Sequence, residues 1–284
     1  MQIYSSQDIN KIKEENKYNI SRDIIEILDY FTNLVSSPNY IKSPNFINKK
    51  SIILNSDRNN IEVLNDNINK ILNKITNKNY DKLIIELISI IETIIFENNN
   101  KIDNTADIIF ERFFISDINI ELNIKILYCI INKFNCFHKY LDNFINSIKD
   151  LHANIKVCSI VTFEELDKVN KNNNIIKNKI KFYSQLGRLN KIDNNDVNIN
   201  IIYYQNLLNN KLEKCLSKIE CEEIAELVFT FLNEKTYLDL KNIHENKIYT
   251  NIKIIAESTI EKNKNLTNKI ILKHKNILDK LNLL

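Results

Sequence analysis

The residue types best able to do chemistry are five cysteines (Cys129, Cys136, Cys158, Cys215, Cys221) and four histidines (His138, His152, His244, His274). A thiolate beside an imidazole makes a nucleophile pair, and Cys and His at close helical spacing hold zinc. Neither pattern is present. There is no CxxC and no HxxxH, and Cys136 and His138 merely sit two apart at what reads as a helix end. Ser184 lies near Gly187 but not in a GxSxG elbow. The carboxylates fall singly at helical spacings and read as solvated faces, with no pair on one apolar face. The cysteines, mostly in apolar helical text, read as buried thiols of a reducing compartment. A non-enzymatic chain with no cofactor and no metal is expected.

The elements that would position side chains are helices. The 284 residues include one glycine and two prolines. One glycine cannot build GxGxxG or GxxxxGK[ST], and an all-β fold needs many turn glycines and prolines. The composition therefore predicts an all-α protein in which Asn does the turn and capping work. Ile, Asn and Lys abound, as A/T-rich codons dictate, so stretches such as Asn98-Asn99-Asn100 read as loops. The net charge of +3 points by itself to neither nucleic acid nor membrane. The first ten residues are polar, unlike a signal peptide, and the longest apolar run, 83–96, is interrupted by Glu86 and Glu92. A soluble, cytoplasmic protein with no membrane partner is expected.

Residues 21–35 carry an amphipathic helical pattern at Ile24, Ile27, Leu28, Phe31 and Leu34, with Ser21 as N-cap. Pro38 and Pro44 then favour an extended path. This divides an arm, 1–50, from a helical domain, 51–284. In the domain, periodicity predicts helices near 57–74, 77–96, 104–116, 119–134, 138–157, 162–171, 173–190, 196–215, 219–233, 237–244, 249–262 and 264–282. Thr162 with Glu165 and Ser217 with Glu220 have capping-box spacing. Short links and many helices predict an α-solenoid of antiparallel helix pairs, an architecture that binds partners along a long surface.

Four stretches, in order, resemble the middle domain of eukaryotic initiation factor 4 gamma. NINKILNKITNKNYDKLIIEL (67–87) is similar to that family's opening pattern through Ile71-Leu72-Asn73-Lys74-Ile75-Thr76 and Tyr80-Asp81-Lys82-Leu83, with Asn77 in place of the usual proline and Tyr80 in place of phenylalanine. IIFERFFISDINIELNIKILYCII (108–131) resembles the second-repeat text through Ile109-Phe110-Glu111-Arg112 and Leu127-Tyr128-Cys129. KNKIKFYSQLGRLNKI (177–192) resembles a later helix through Asn178, Ile180, Lys181, Phe182 and Leu186, with Gly187 displaced from the family glycine. TIEKNKNLTNKIILKHKNILDKL (259–281) resembles the closing helix, with Lys269 where the family has arginine. The resemblance implies HEAT-like helix pairs that bind the DEAD-box initiation helicase (4A type), through Leu72, Asn73, Lys74 and Tyr80 at one end and Lys269 and Lys273 at the other.

The same resemblance covers the arm. IYSSQDINKIKE (3–14) looks like the Tyr-x4-Leu-Φ motif that grips the cap-binding initiation factor (4E type), with Tyr4 as the tyrosine, Ile9 in the leucine place, Asn10 departing from Φ, and Ile12 one helical step on. ISRDIIEIL (20–28) and SPNYIKSPNF (37–46), with Tyr40 and Phe46, resemble the stretch that wraps a lateral face of that factor. Direct mRNA contact is a subsidiary expectation from Lys177, Lys179, Lys181 and Arg188, with Phe182 and Tyr183 interleaved; a solvated basic face is the competing reading. The implied function is a translation-initiation scaffold. Alternatives are a middle-domain protein of mRNA decay, splicing or poly(A)-linked control, or a decoy inhibitor of the cap-binding factor. The short length and A/T-rich composition suggest a reduced version, as a large DNA virus or parasitic protist would carry.

Overall fold

A computed structural model describes residues 60–97, 102–157, 162–214, 217–232, 235–236, 247–261, 263 and 265–283. The chain divides into two units, Met1–Arg58 and Asn59–Leu284, and all described residues belong to the second. The arm residues Tyr4, Ile9, Ile12, Tyr40 and Phe46, and the helix expected at 237–244, lie outside the described residues.

Ten α-helices and no strand occur among the described residues. They are α1 (Asn60–Lys74), α2 (Tyr80–Glu97), α3 (Ile102–Ile115), α4 (Ile120–Lys133), α5 (His138–Ser147), α6 (Phe163–Arg188), α7 (Asn194–Glu213), α8 (Lys218–Phe231), α9 (Lys247–Glu257) and α10 (Asn268–Leu283). In α1 the stripe Ile61, Asn65, Ile68 and Ile71 is buried, the helical period that a one-sided core requires. One row of helices runs α1, α3, α6, α8, α10, each packed on the next. Flanking this row, α2 packs on α1 and α3, α4 on α6, α7 on α6 and α8, and α9 on α7 and α10. Extensive contacts thus stay between helices near in sequence, which makes the fold solenoid-like.

Two boundaries differ from the periodicity reading. The helices expected at 162–171 and 173–190 are one 26-residue helix, α6. The Asn-rich stretch between them does not break it, because its amides are used sideways. Asn173 accepts from the Lys156 N–H at 3.0 Å and donates to the Lys156 carbonyl at 2.9 Å, and Asn172 donates to the Asn154 carbonyl at 2.9 Å. The helix expected at 138–157 keeps α geometry only to Ser147 and continues as a 3₁₀ segment, Ile148–Asn154. The capping box at Thr162 and Glu165 is complete. At the second expected box the Ser217 hydroxyl accepts from the Glu220 N–H, but the Glu220 carboxylate turns to Lys211 at 2.6 Å.

The core centres on Phe110, Phe113, Phe114, Phe144 and Phe182, where the Phe114 and Phe144 rings stack at 5.0 Å and Phe182 meets Phe114 edge-on at 5.5 Å. Gly187, buried in α6, faces α7: a Cβ there would meet Val197 Cγ2 at 2.6 Å. Beyond it Asn190 takes φ 54°, and the Lys191 N–H reaches the Leu186 carbonyl at 2.8 Å. This closes α6 with a Schellman turn in which Asn stands where glycine is usual.

Candidate partner-binding surface

The α1–α2 turn is built by one side chain. Asn79 accepts from the Thr76 N–H at 2.6 Å and donates to the Lys74 carbonyl at 2.9 Å. The turn leaves Asn73 and Lys74 exposed, while Leu72 is half-buried against the core. Tyr80 is not a surface residue. It is 8% exposed, its ring lies under Lys125 Nζ at 3.7 Å, and burial, reinforced by Cys129, pushes its phenol up to about 12. Tyr80 is therefore a core side chain, and Asn73 and Lys74 are what this end presents.

The basic residues are brought together, but with carboxylates between them. On α6, Lys177 pairs with Glu223 of α8 at 2.9 Å and Lys181 pairs with Asp117 of the α3–α4 link at 2.6 Å. Arg188 pairs with Glu121 of α4. On α10, Lys269 reaches Glu223 at 3.5 Å and Glu222 at 3.7 Å, and Lys273 reaches Glu226 at 2.9 Å while lying over the Phe229 ring at 4.4 Å. Lys179 lies over Phe114 at 5.5 Å. Across the stack the surface reads acidic at Asp117 and Glu121, basic on α6, acidic on α8 and basic on α10. The hydrogen bond from Lys181 holds the Asp117 carboxyl below the usual carboxylate range. Phe182 and Tyr183, expected to interleave with the lysines, are 0% and 1% exposed and offer no stacking face. The acidic partners were the part that reading for basic clusters missed. The Glu220, Glu222 and Glu223 block and Glu226 on one helix carried the signal.

Of the cysteines, Cys221 is buried, but Cys129 on α4 and Cys136 in the 3₁₀ turn Asn135–Phe137 are only half-buried. Cys158 and Cys215 lie outside the described residues. Among the described residues no group of three or more His, Cys, Asp or Glu side chains is placed to hold a metal. No described helix is long and apolar enough to cross a membrane. His274 is 0% exposed, with Nδ1 at 2.9 Å from the Ile270 carbonyl and Nε2 at 3.2 Å from Gln205. Burial lowers its pKa to about 4, so it is a neutral packing residue between α7 and α10. No protein family, curated protein or solved structure matches the chain.

Proposed function

We propose that the chain is a translation-initiation scaffold whose arm captures the cap-binding factor and whose helical domain holds the DEAD-box initiation helicase. One observation carries this reading. The four stretches that resemble the middle domain fall, in order, on α1–α2, α3–α4, the second half of α6 and α10, which all belong to one stacked array. A stacked array offers a long surface for a two-lobed partner. The exposed end residues Asn73 and Lys74 are the contacts assigned to the first lobe. Lys269 and Lys273 are held by α8 carboxylates and act through the shape of the α8–α10 face.

In the arm, Tyr4 and Ile9 each contribute about 1.5–3 kcal/mol when fully buried in a partner groove, against an ordering cost of about 2–5 kcal/mol for a segment that folds on binding. Calorimetric titration of the full chain into the cap-binding factor, beside Tyr4→Ala, tests the arm. Binding lost on substitution supports the scaffold, and equal binding by both chains sinks the motif. Stimulation of helicase ATPase by the full chain, weakened by Lys74→Glu, separates a scaffold from a decoy inhibitor, which would bind the cap factor and leave the helicase unaffected.

A further inference from the structure

Along α6, Lys171, Lys177, Lys181 and Arg188 each hold a carboxylate: Asp167, Glu223, Asp117 and Glu121 in turn. Lys179 does not. It stands two residues from both Lys177 and Lys181, so the helical period turns it to the other side of α6. It is half-buried over the Phe114 ring, a contact that attracts the ammonium but supplies no counter-charge. Lys179 lines a cleft of about 430 Å³ between α6 and the stretch 151–156, and Lys156 lines it too. Neither lysine has a carboxylate partner among the described residues. The rest of the lining is uncharged: the amides of Asn154 and Asn172 and an aliphatic wall that includes Ile175, 39% exposed. Asp150, the acidic residue of the adjoining 3₁₀ segment, is not part of the lining and acts on Tyr204 of α7. The cleft is held open by backbone ties. Asn173 bonds both the N–H and the carbonyl of Lys156, and Asn172 bonds the Asn154 carbonyl.

We propose that this cleft binds a phosphate monoester. The lining carries two positive charges and no negative one. A phosphate monoester carries about −1.5 to −2 charges at neutral pH, which matches both ammonium groups at once. A carboxylate, or a single diester link of a nucleic-acid chain, brings one negative charge and leaves a lysine unmatched. The cleft is larger than one phosphate group and falls within the roughly 300–1,000 Å³ of small-ligand sites, so it takes part of the carrier as well. Among the described residues no aromatic side chain lines it, so nothing there stacks on a nucleobase. The aliphatic wall and the two amides suit an aliphatic carrier with hydroxyl or amide groups, as a phosphoserine side chain or glycerol phosphate provides. The proposal goes beyond the initiation reading and does not need it: failure of the Tyr4→Ala test would leave it standing.

The test is fluorescence anisotropy on the full chain with a labelled tetrapeptide, Ala-pSer-Ile-Ala, beside the same peptide with Asp in place of phosphoserine and a short oligouridine. The phosphopeptide should bind roughly ten-fold or more tightly than the Asp peptide. Lys156→Gln and Lys179→Gln should each remove most of that preference. Neither substitution breaks an ion pair among the described residues, so both variants should melt where the parent does. Lys171→Gln, on the same helix but paired with Asp167, should keep the preference. Calorimetric titration of glycerol 1-phosphate separates the sources. Affinity equal to or above that of the phosphopeptide, with the same dependence on the two lysines, assigns the cleft to a free phosphate ester, and weaker affinity assigns it to a phosphorylated side chain. Failure of both phosphate esters to bind overturns the proposal, as does a preference that survives both lysine substitutions or a phosphopeptide that binds no better than the Asp peptide. Tighter binding of oligouridine that is lost in the same two variants also overturns it and makes the cleft a nucleic-acid site.

Discussion

The two halves of the helical array are held together by different forces. Around α3 and α5 the glue is aromatic: Phe110, Phe113, Phe114 and Phe144 pack with Phe182 of α6, and the long-range ion pairs there are well exposed. Lys139 and Asp103, for example, are 56% and 65% exposed. Around α8 and α10 the pairs are half-buried, with Lys273 and Glu226 at 24% and 20% and Lys177 and Glu223 at 25% and 14%. Buried polar contacts join them: Ser184 donates to the Phe231 carbonyl at 2.7 Å, and His274 meets Gln205. Apolar packing neither titrates nor is screened by ions, whereas half-buried charge is screened and a buried imidazole titrates. The same architecture should therefore respond to solution conditions mainly at its C-terminal end.

The largest expected effect tests the aromatic half. Phe113→Ala removes a side chain 1% exposed and should cost about 3–5 kcal/mol, with the loss in a urea titration unchanged between pH 7.5 and pH 5.5. Next comes the pH response of the other half. The His274 pKa is lowered from 6.5 to about 4 in the fold, so the unfolded chain binds the proton more readily. Its contribution is fully present above pH 6.5, is lost progressively as pH falls towards 4, and is on the order of 3 kcal/mol. Amide exchange should show α10 losing protection over that window before α3 does, and His274→Gln should flatten the difference. Uniform loss along the array would erase the contrast.

Smaller effects sharpen it. Gly187→Ala gains helix propensity of about 1 kcal/mol but drives a Cβ into Val197 at 2.6 Å. Overpacking of about 1–3 kcal/mol should win, seen as a lower melting temperature, and Val197→Ala should rescue it. Lys273→Ala removes a half-buried pair and the contact over Phe229, and should cost about 1 kcal/mol. That loss should shrink in high salt. Lys139→Ala, at the exposed pair with Asp103, should leave the melting temperature unchanged; a loss equal to that of Lys273→Ala would mean that the two halves use charge alike.

Much of the fold was legible in the residues. Periodic isoleucines in α1 and α2, the Thr162–Glu165 box and the scarcity of glycine point directly to helices and their starts, because these are local signals. The site was legible only in part. Lys177 and Lys181 are visible as an i, i+4 basic pair, but Glu223 lies 46 and 42 residues further on and Asp117 lies 60 and 64 residues before them. Nothing local marks those carboxylates as partners. Tyr80, assigned to a partner contact by resemblance alone, is a related case: only the packing of α2 on its neighbours buries it.

Composition and period alone determined that this chain is all-α, where most helices begin, and that no glycine-rich phosphate loop is built into it. Those are properties of short windows, set by backbone freedom and the 3.6-residue repeat. The tertiary structure decided which charges neutralise one another, which aromatics leave the surface, and where a cleft opens between α6 and the stretch 151–156. Each of these depends on distance between helices far apart in sequence, and Coulomb attraction and burial act through that distance rather than through order along the chain.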